Sequence, residues 1–380
     1  MTITLRRQKP GVDALVSLLT DLVSIDSSDP PGNEAAIAAR VAVELAQNGI
    51  DFDVDEFAPG RVNILARVAG QGTKAPLVFS AHLDTVPIGT AAWQFDPFEG
   101  RVVDGRLYGR GSSDMKSGVA AMITALVELS TSEPLAGDVL LALSAGESSS
   151  CAGAKRFVER GSLVQAGAIL VSEPTSLDVV VAEMAALWVR VIFHGSIGHV
   201  SGSGSRNAII DMSAFLTTLD HVSLPFPDHD LLPAPTISVG KIIGGSAVNV
   251  TPDRCEALLD IRLRSGTSVD EALECLATRL PVDAEVEVVD FKPAVETNSD
   301  HPFVQTCLRQ CSRVTGAAPA VKGVSYYSDA TVYQSAHGTP FAILGPGELG
   351  MSGQNDEWVS IERVRQAVPI FANIARAWLA

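Results

Sequence analysis

The segment Ser80-Ala-His82-Leu-Asp84-Thr-Val-Pro87 organises the chain, because it places a histidine and an aspartate at the end of an apolar run. Leucine, valine and phenylalanine occupy positions 77–79, and prolines bound the whole stretch, which is typical of a buried strand. Side chains alternate along a strand, so His82 and Asp84 point to the same side. The pair is typical of a metal-binding histidine with the carboxylate that orients it. A core histidine satisfied by a nearby aspartate would show the same pattern.

Length, composition and charge limit the class of protein. The chain has 380 residues, of which 46% are hydrophobic and 19% charged, and this length favours two domains. No window is apolar enough for a membrane span, and the N-terminus lacks the features of a secretory signal. The formal net charge of −16 argues against nucleic acid and anionic membranes as partners.

The cysteines predict a reducing compartment. There are five, an odd number scattered along the chain, which favours reduced thiols and a cytoplasmic location. Cys307 and Cys311 are spaced to share one face of a helix. Without a second thiol pair nearby, we interpret them as two packed thiols rather than as a zinc site.

Three further acidic residues follow predicted strands or a glycine-rich loop. Asp114 lies in the loop 109–118 that opens a long helix, Glu147 follows the strand 138–143, and Glu173 follows the strand 168–171. The carboxyl ends of strands in an open α/β sheet are where sites assemble. One histidine and two carboxylates suit a catalytic zinc, and an additional glutamate suits a general base. Asp114 would also serve as an N-cap of its helix, a role compatible with facing a metal.

The order and spacing of seven motifs resemble the M20 metallopeptidase and deacylase family, which includes acetylornithine deacetylase, succinyl-diaminopimelate desuccinylase and glutamate carboxypeptidases. The motifs are Ser80–Pro87, Tyr108–Gly118, Gly146-Glu147, Ser172–Thr175, Gly198-His199, Asn249–Pro252 and Leu344–Gly347. Together they span nearly the whole chain, which makes the resemblance specific.

The resemblance implies a role for each residue of the predicted site. His82, Asp114 and Glu173 match one metal site, in which Asp114 is the family's bridging carboxylate. Asp84 matches the residue that orients the metal-binding histidine. Glu147 matches the general acid and base, which moves a proton from the attacking water to the leaving amine.

The resemblance also implies the architecture: a zinc-exopeptidase-like α/β catalytic domain with a mixed sheet, formed by residues 1–183 and 292–380. An α+β lid and dimerisation domain, residues 184–291, is inserted into it. Within the insert, the residue pattern predicts one antiparallel sheet with helices on one face. The predicted elements are strands 187–193, 237–243, 255–262 and 285–289 and helices 208–219 and 269–280.

Three residues of the insert match functional positions of the family. His199 matches a lid histidine that reaches a neighbouring subunit's site and polarises the scissile carbonyl. Asn249 and Arg262 match positions that contact the substrate, and an arginine suits the substrate's carboxylate. A plain surface histidine and an exposed strand charge are the alternatives for His199 and Arg262.

The sequence departs from the family at both of the residues that bind only the second metal. Ser148 stands where the family has a glutamate, and Gly353 stands where it has a histidine. We therefore expect a single ion, Zn²⁺, with Co²⁺ or Mn²⁺ possible. Oxygen atoms of Ser148, Glu348, Asn355 or Asp356 would be the candidates to rescue a second site.

These observations predict a metal-dependent amidohydrolase that cleaves an N-acyl or peptide bond of a small amino-acid-like substrate carrying a carboxylate. A homodimer formed through the lid domain is expected. The alternatives are a biosynthetic homologue that uses the pocket for acyl transfer or amide formation, and a non-catalytic binding homologue. Asp329, which precedes a predicted helix, is interpreted as an N-cap, with a role near the site as the alternative.

Overall fold

The computed structural model describes residues 13–202 and 204–380. The chain divides into two compact units. The first extends to Val181 and resumes as Glu296–Lys322 and Ser328–Ala380, and the second comprises Ala182–Val295 and Gly323–Tyr327. The return of Gly323–Tyr327 to the second unit was not predicted. The roles predicted for the two parts, catalysis and dimerisation, stay predictions.

The first unit contains a large sheet, a smaller three-stranded sheet and several helices. Its strands are β1 Asp51–Ala58, β2 Arg61–Val68, β3 Leu77–His82, β4 Arg101–Val103, β5 Arg106–Tyr108, β6 Val139–Ser144, β7 Ala168–Val171 and β8 Val179–Glu183, the last of which runs into the second unit. The helices are α1 Ala14–Val23, α2 Ala35–Gln47, α3 Ser117–Ser130, α4 Glu147–Ser150 and α5 Ala152–Glu159, and a wide turn, Ser112–Lys116, precedes α3.

The second unit follows along the chain. Its elements are β9 Ala185–His194, β10 Gly198–His199, α6 Ala208–Leu216, a short turn of helix Leu219–His221, β11 Thr236–Gly244, β12 Val250–Thr251, β13 Arg254–Leu263, α7 Val269–Ala277 and β14 Glu285–Lys292. The chain then adds β15 Val295–Glu296, α8 Pro302–Thr315, β16 Val321–Val324, α9 Ala330–His337, β17 Phe341–Ile343, β18 Trp358–Ser360 and α10 Ile361–Trp378. Each element predicted for the insert overlaps an observed one, although both helices end earlier.

The sheet of the first unit runs in the order β1-β2-β6-β3-β7-β17-β8. β3 is parallel to both β6 and β7, and every residue of β3 is buried. A strand covered on both faces is expected to be a continuous apolar run, which is what positions 77–79 show. The predicted α/β class with a mixed sheet is therefore confirmed.

The second unit has an antiparallel sheet in the order β11-β13-β9-β14. Burial alternates along β13, because one face of this sheet packs on α6 and α7 and the other does not. β11 lies at an edge and is largely exposed, including Val239 and Ile242 at 45% and 50%. An exposed apolar edge strand is a surface suited to pairing with another chain.

Within residues 13–202 and 204–380, none of the helices is both long and apolar enough to cross a bilayer.

Candidate metal centre

The three residues predicted to bind a metal come together in the first unit. The Nε2 atom of His82 lies 3.0 Å from Oδ1 of Asp114 and 3.6 Å from Oε1 of Glu173. One ligand atom from each residue lies within 4.8 Å of the other two. His82 and Glu173 are buried, and Asp114 is partly buried.

Strand register explains this convergence. Ser80 in β3 pairs with Val171 in β7, and His82 pairs with Ser144 in β6. Three parallel strands therefore end at one edge of the sheet. His82 closes β3, Glu173 follows β7, and Asp114 reaches the same edge from the wide turn before α3.

The Nδ1 atom of His82 lies closer to the backbone of Asp84 than to the carboxylate of Asp84. Its Nδ1 lies 2.9 Å from the carbonyl oxygen of Asp84 and 3.7 Å from Oδ1 of the same residue. A carbonyl only accepts hydrogen bonds, so Nδ1 carries the proton, and the other ring nitrogen faces the two carboxylates. The Asp84 carboxylate instead accepts the N–H groups of Glu147 and Ser148, at 3.1 and 2.9 Å.

The buried charges of His82, Asp114 and Glu173 favour the binding of a cation. Burial raises the pKa of Glu173 well above its usual range, and the Asp114 carboxylate raises it further. Burial lowers the pKa of His82, but the carboxylates of Glu173 and Asp84 outweigh it, so the pKa lies well above the ordinary value. Buried carboxylates this close together need positive charge, and one nitrogen with two oxygen donors matches a catalytic zinc set. The residues present therefore fit a divalent metal.

Glu147 is buried at the start of α4. It is 8% exposed and follows Gly146, whose φ of 71° lies in the left-handed region that glycine tolerates best. Burial raises the pKa of Glu147 well above its usual range. A carboxylate with a raised pKa is a stronger base than an ordinary one.

The positions that would serve a second metal are occupied by other interactions. The Ser148 hydroxyl donates to Oδ2 of Asp84 at 2.6 Å, and Gly353 has no side chain. The Ser352 hydroxyl donates to Oδ2 of Asp114. Sequence reasoning missed Ser352, because a serine in a loop carries no signal of its own.

The oxygen ligands considered for rescue also have partners. Glu348 forms an ion pair with Arg363. Asp356 accepts the backbone N–H of Gln94 at 2.6 Å. Asn355 donates to the carbonyl of Ala92 at 3.2 Å. Within the described part of the chain, neither Glu348 nor Asp356 belongs to a group of histidine, cysteine or acidic residues close enough to hold a metal.

The predicted residues of the insert lie in the second unit. His199 in β10 pairs with Val250 in β12, and the N–H of Val200 donates to the Asn249 carbonyl, so His199 and Asn249 are neighbours. His199 is exposed, with its Nδ1 2.7 Å from the Ser201 hydroxyl.

The guanidinium of Arg262 already has an acidic partner. Its Nε and Nη2 lie 2.6 and 2.8 Å from the Asp260 carboxylate, and it stacks over the Tyr327 ring at 5.2 Å. A bidentate pair of this kind is geometrically specific. In this structure Arg262 therefore binds a carboxylate of the same chain, that of Asp260. Its contact with substrate stays a prediction.

Asp329 directly precedes α9, at the N-cap position predicted for it. Its side chain makes no capping hydrogen bond to α9, and the backbone N–H of Ala330 donates instead to the Ser328 hydroxyl. The Asp329 carboxylate is buried and accepts the Ser144 hydroxyl at the end of β6. Burial raises the pKa of Asp329 to about 6.

A second group of buried carboxylates, Asp29, Glu34 and Asp84, was not predicted. Arg61 lies among them, with Nη2 3.1 Å from Asp29 and Nε 3.3 Å from Glu34. Burial raises the pKa of Glu34 to about 7, with the Asp84 charge adding to the effect. The negative charge of this group is partly offset by Arg61 and by a proton on Glu34.

A mixed α/β sheet that carries a buried histidine–carboxylate set at its carboxyl edge, beside a glutamate suited to acid–base work, defines a metal-dependent enzyme. The profile of peptidase family M20/M25/M40 matches residues 78–377. The chain therefore belongs to this family, and it is a metal-dependent hydrolase acting on amide bonds. The comparisons give no support to acyl transfer, amide formation or non-catalytic binding.

Individual relatives agree with this assignment. The chain is 30% identical to an acetylornithine deacetylase of Vibrio vulnificus, over 93% of this chain and 95% of the relative. An M20 family metallo-carboxypeptidase of Sulfolobus solfataricus has a similar fold, with a TM-score of 0.81 at 18% identity, covering 96% of this chain and 99% of the other. The YXEP protein of Bacillus subtilis, described as a dinuclear metal-binding peptidase, has a TM-score of 0.66 at 17% identity, covering 96% and 97%.

The raised pKa of Glu34 predicts a specific dependence of stability on pH. The folded state holds this proton up to about pH 7, whereas the unfolded state releases it near the ordinary value of 4.5. The contribution is therefore complete below the unfolded pKa and is lost as the pH rises through the folded one. Between about pH 5 and about pH 8, the free energy of unfolding of wild type should fall by roughly 2 kcal/mol relative to Glu34→Gln.

Urea denaturation across this pH range measures the difference. Glu56→Gln, at an exposed position of β1, controls for the loss of one negative charge. Parallel pH profiles for wild type and Glu34→Gln would show that Glu34 is ionised in the folded protein.

Proposed function

We propose that the chain hydrolyses an N-acyl or peptide bond in a small amino-acid-like substrate that carries a carboxylate. The observation that carries this proposal is the convergence of His82, Asp114 and Glu173 beside the buried Glu147. The acetylornithine deacetylase and carboxypeptidase relatives support the substrate class, since both of those names describe cleavage next to an amino acid.

The metal site would consist of His82, Asp114 and Glu173, and zinc is the ion that best suits this donor set. A divalent ion bound there lowers the pKa of a water and polarises a carbonyl. Glu147 takes a proton from the attacking water and passes it to the leaving nitrogen. Asp84 accepts the backbone N–H of Glu147 and so holds Glu147 near the proposed metal site. Burial of His82, Glu173 and Glu147 limits the access of bulk water.

The substrate's other contacts would come from the second unit. We assign His199 to the scissile carbonyl, acting across a dimer, and Asn249 and Arg262 to the remainder of the substrate. The proximity of His199, in β10, and Asn249, which directly precedes β12, supports a joint role for these two. For Arg262, binding a substrate carboxylate requires the Asp260 carboxylate to share its guanidinium.

A single metal ion per chain follows from the loss of two ligands and from the contacts that replace them. Ser148 is turned toward Asp84, and Ser352 hydrogen-bonds the oxygen of Asp114 that a second ion would share. A dimer formed through β11 and a cytoplasmic location complete the proposal. All five cysteines are free thiols, which agrees with a reducing compartment.

Metal content tests the single-ion site. Protein loaded with zinc and dialysed should bind one ion per chain, His82→Ala should bind none, and Ser148→Ala should still bind one. The double variant Ser148→Glu/Gly353→His restores both missing ligand types, and its content should rise toward two. Elemental analysis by mass spectrometry gives the ratio, and two ions in wild type would contradict the proposal.

Replacement of Glu147 tests the assigned chemistry. Glu147→Gln should retain the metal and KM but lose about 10²- to 10⁴-fold in kcat, because a positioned base contributes that much. The assay is release of free amine from N-acetyl amino acids, N-succinyl amino acids and dipeptides. Glu159→Gln, which removes an exposed glutamate from α5, is the matched control. Full activity in Glu147→Gln would exclude it as the base.

Charges placed on β11 test the dimer. Val239→Asp/Ile242→Asp should convert a dimer to a monomer, because each buried carboxylate at an apolar interface is strongly unfavourable. Light scattering coupled to size exclusion measures the mass. Val282→Asp introduces a charge at another exposed valine of the same unit and should leave the dimer intact. A wild type that is monomeric at micromolar concentration would refute the proposal.

A further inference from the structure

Arg61 lies against the backbone that carries Glu147. A Cβ atom built on Gly146 would come within 1.7 Å of Nη2 of Arg61, so the guanidinium packs directly on the residue that precedes Glu147. Only glycine at position 146 allows this approach. The side chain of Arg61 is 14% exposed, although it begins a strand, β2, whose other arginine, Arg67, is 57% exposed.

The guanidinium joins two buried carboxylates. Nη2 lies 3.1 Å from Asp29, and Nε lies 3.3 Å from Glu34, whose side chains are 4% and 0% exposed. Asp29 in turn accepts the hydroxyl of Ser149 at 2.6 Å. Arg61 is therefore linked through Asp29 to the second residue after Glu147.

The loop 146–149 is thereby held from two sides. Asp84 accepts the N–H groups of Glu147 and Ser148 and the hydroxyl of Ser148. Arg61 and Asp29 hold the residues on either side, Gly146 and Ser149. α4 is only four residues long and lies between left-handed residues at Gly146 and Cys151, so its own hydrogen bonds contribute little to its placement.

We propose that Arg61 is a positioning residue for Glu147. Arg61 acts through Asp29 to fix the loop 146–149. This inference rests on the proposed role of Glu147 as the base. The role requires the planar guanidinium, because Nη2 donates to Asp29 while Nε lies 3.3 Å from Glu34 and the same group packs on Gly146. A lysine would keep the charge but not the fork.

Arg61→Lys is the variant that tests this role. It should lower kcat about tenfold, since small displacements of a catalytic group are costly, and it should leave KM, metal content and the unfolding midpoint unchanged. Arg67→Lys is the matched control, because Arg67 lies on the same strand and binds a single carboxylate, Asp138, at 2.7 Å. A wild-type kcat in Arg61→Lys, or loss of its metal, would overturn the proposal.

A double variant separates positioning from general damage. If Arg61 acts through Glu147, then Arg61→Lys should cost nothing further in a Glu147→Asp background, whose shorter side chain has already lost the placement. Losses that multiply would show that Arg61 acts independently of Glu147, and the inference would fall.

Hydrogen exchange provides a readout that does not depend on activity. Amides of the segment 146–151 in the zinc-loaded protein should exchange faster in Arg61→Lys than in wild type or Arg67→Lys. Unchanged exchange would refute the inference whatever the substrate. Faster exchange together with full activity in Glu147→Gln would instead refute the proposed base and leave Arg61 as the residue that orders this loop.

Discussion

Asp84 joins the two halves of the site. Its backbone carbonyl lies 2.9 Å from Nδ1 of His82, and its carboxylate accepts two backbone N–H groups and a hydroxyl from Glu147 and Ser148. One buried residue therefore sets the tautomer of His82 and the position of Glu147. Because the backbone carbonyl and the carboxylate of Asp84 both accept hydrogen bonds, they constrain the distance between His82 and Glu147.

Burial of negative charge is the constraint that this arrangement must satisfy. Two groups of three ionisable residues lie close together, His82 with Asp114 and Glu173, and Asp84 with Asp29 and Glu34. Uncompensated carboxylates at these depths would cost several kcal/mol each. Arg61 and a proton on Glu34 offset two of the three negative charges of the second group. In the first group, a divalent cation would offset the charges of Asp114 and Glu173.

Sequence reasoning succeeded where function follows from residue type and strand ends. Residues His82, Asp114, Glu147 and Glu173 were predicted to share one edge of a sheet, and the structure places them there. The α/β class and the elements of the insert were also confirmed. Sequence reasoning failed where a contact joins distant segments without a characteristic residue pattern. Examples are the contact of Ser352 with Asp114, the position of Arg61 among Asp29 and Glu34, and the hydrogen bond that Asp329 accepts from Ser144.

The chain's own sequence determined the family, the donor set and the absence of two ligands at positions 148 and 353, since each of these is a matter of which residue occupies which motif. Tertiary structure alone decided what replaces those ligands and how the loop 146–149 is held. The physical reason is that hydrogen bonds and ion pairs between segments depend on strand register and side-chain direction. Neither can be read from the composition or spacing of the segments themselves.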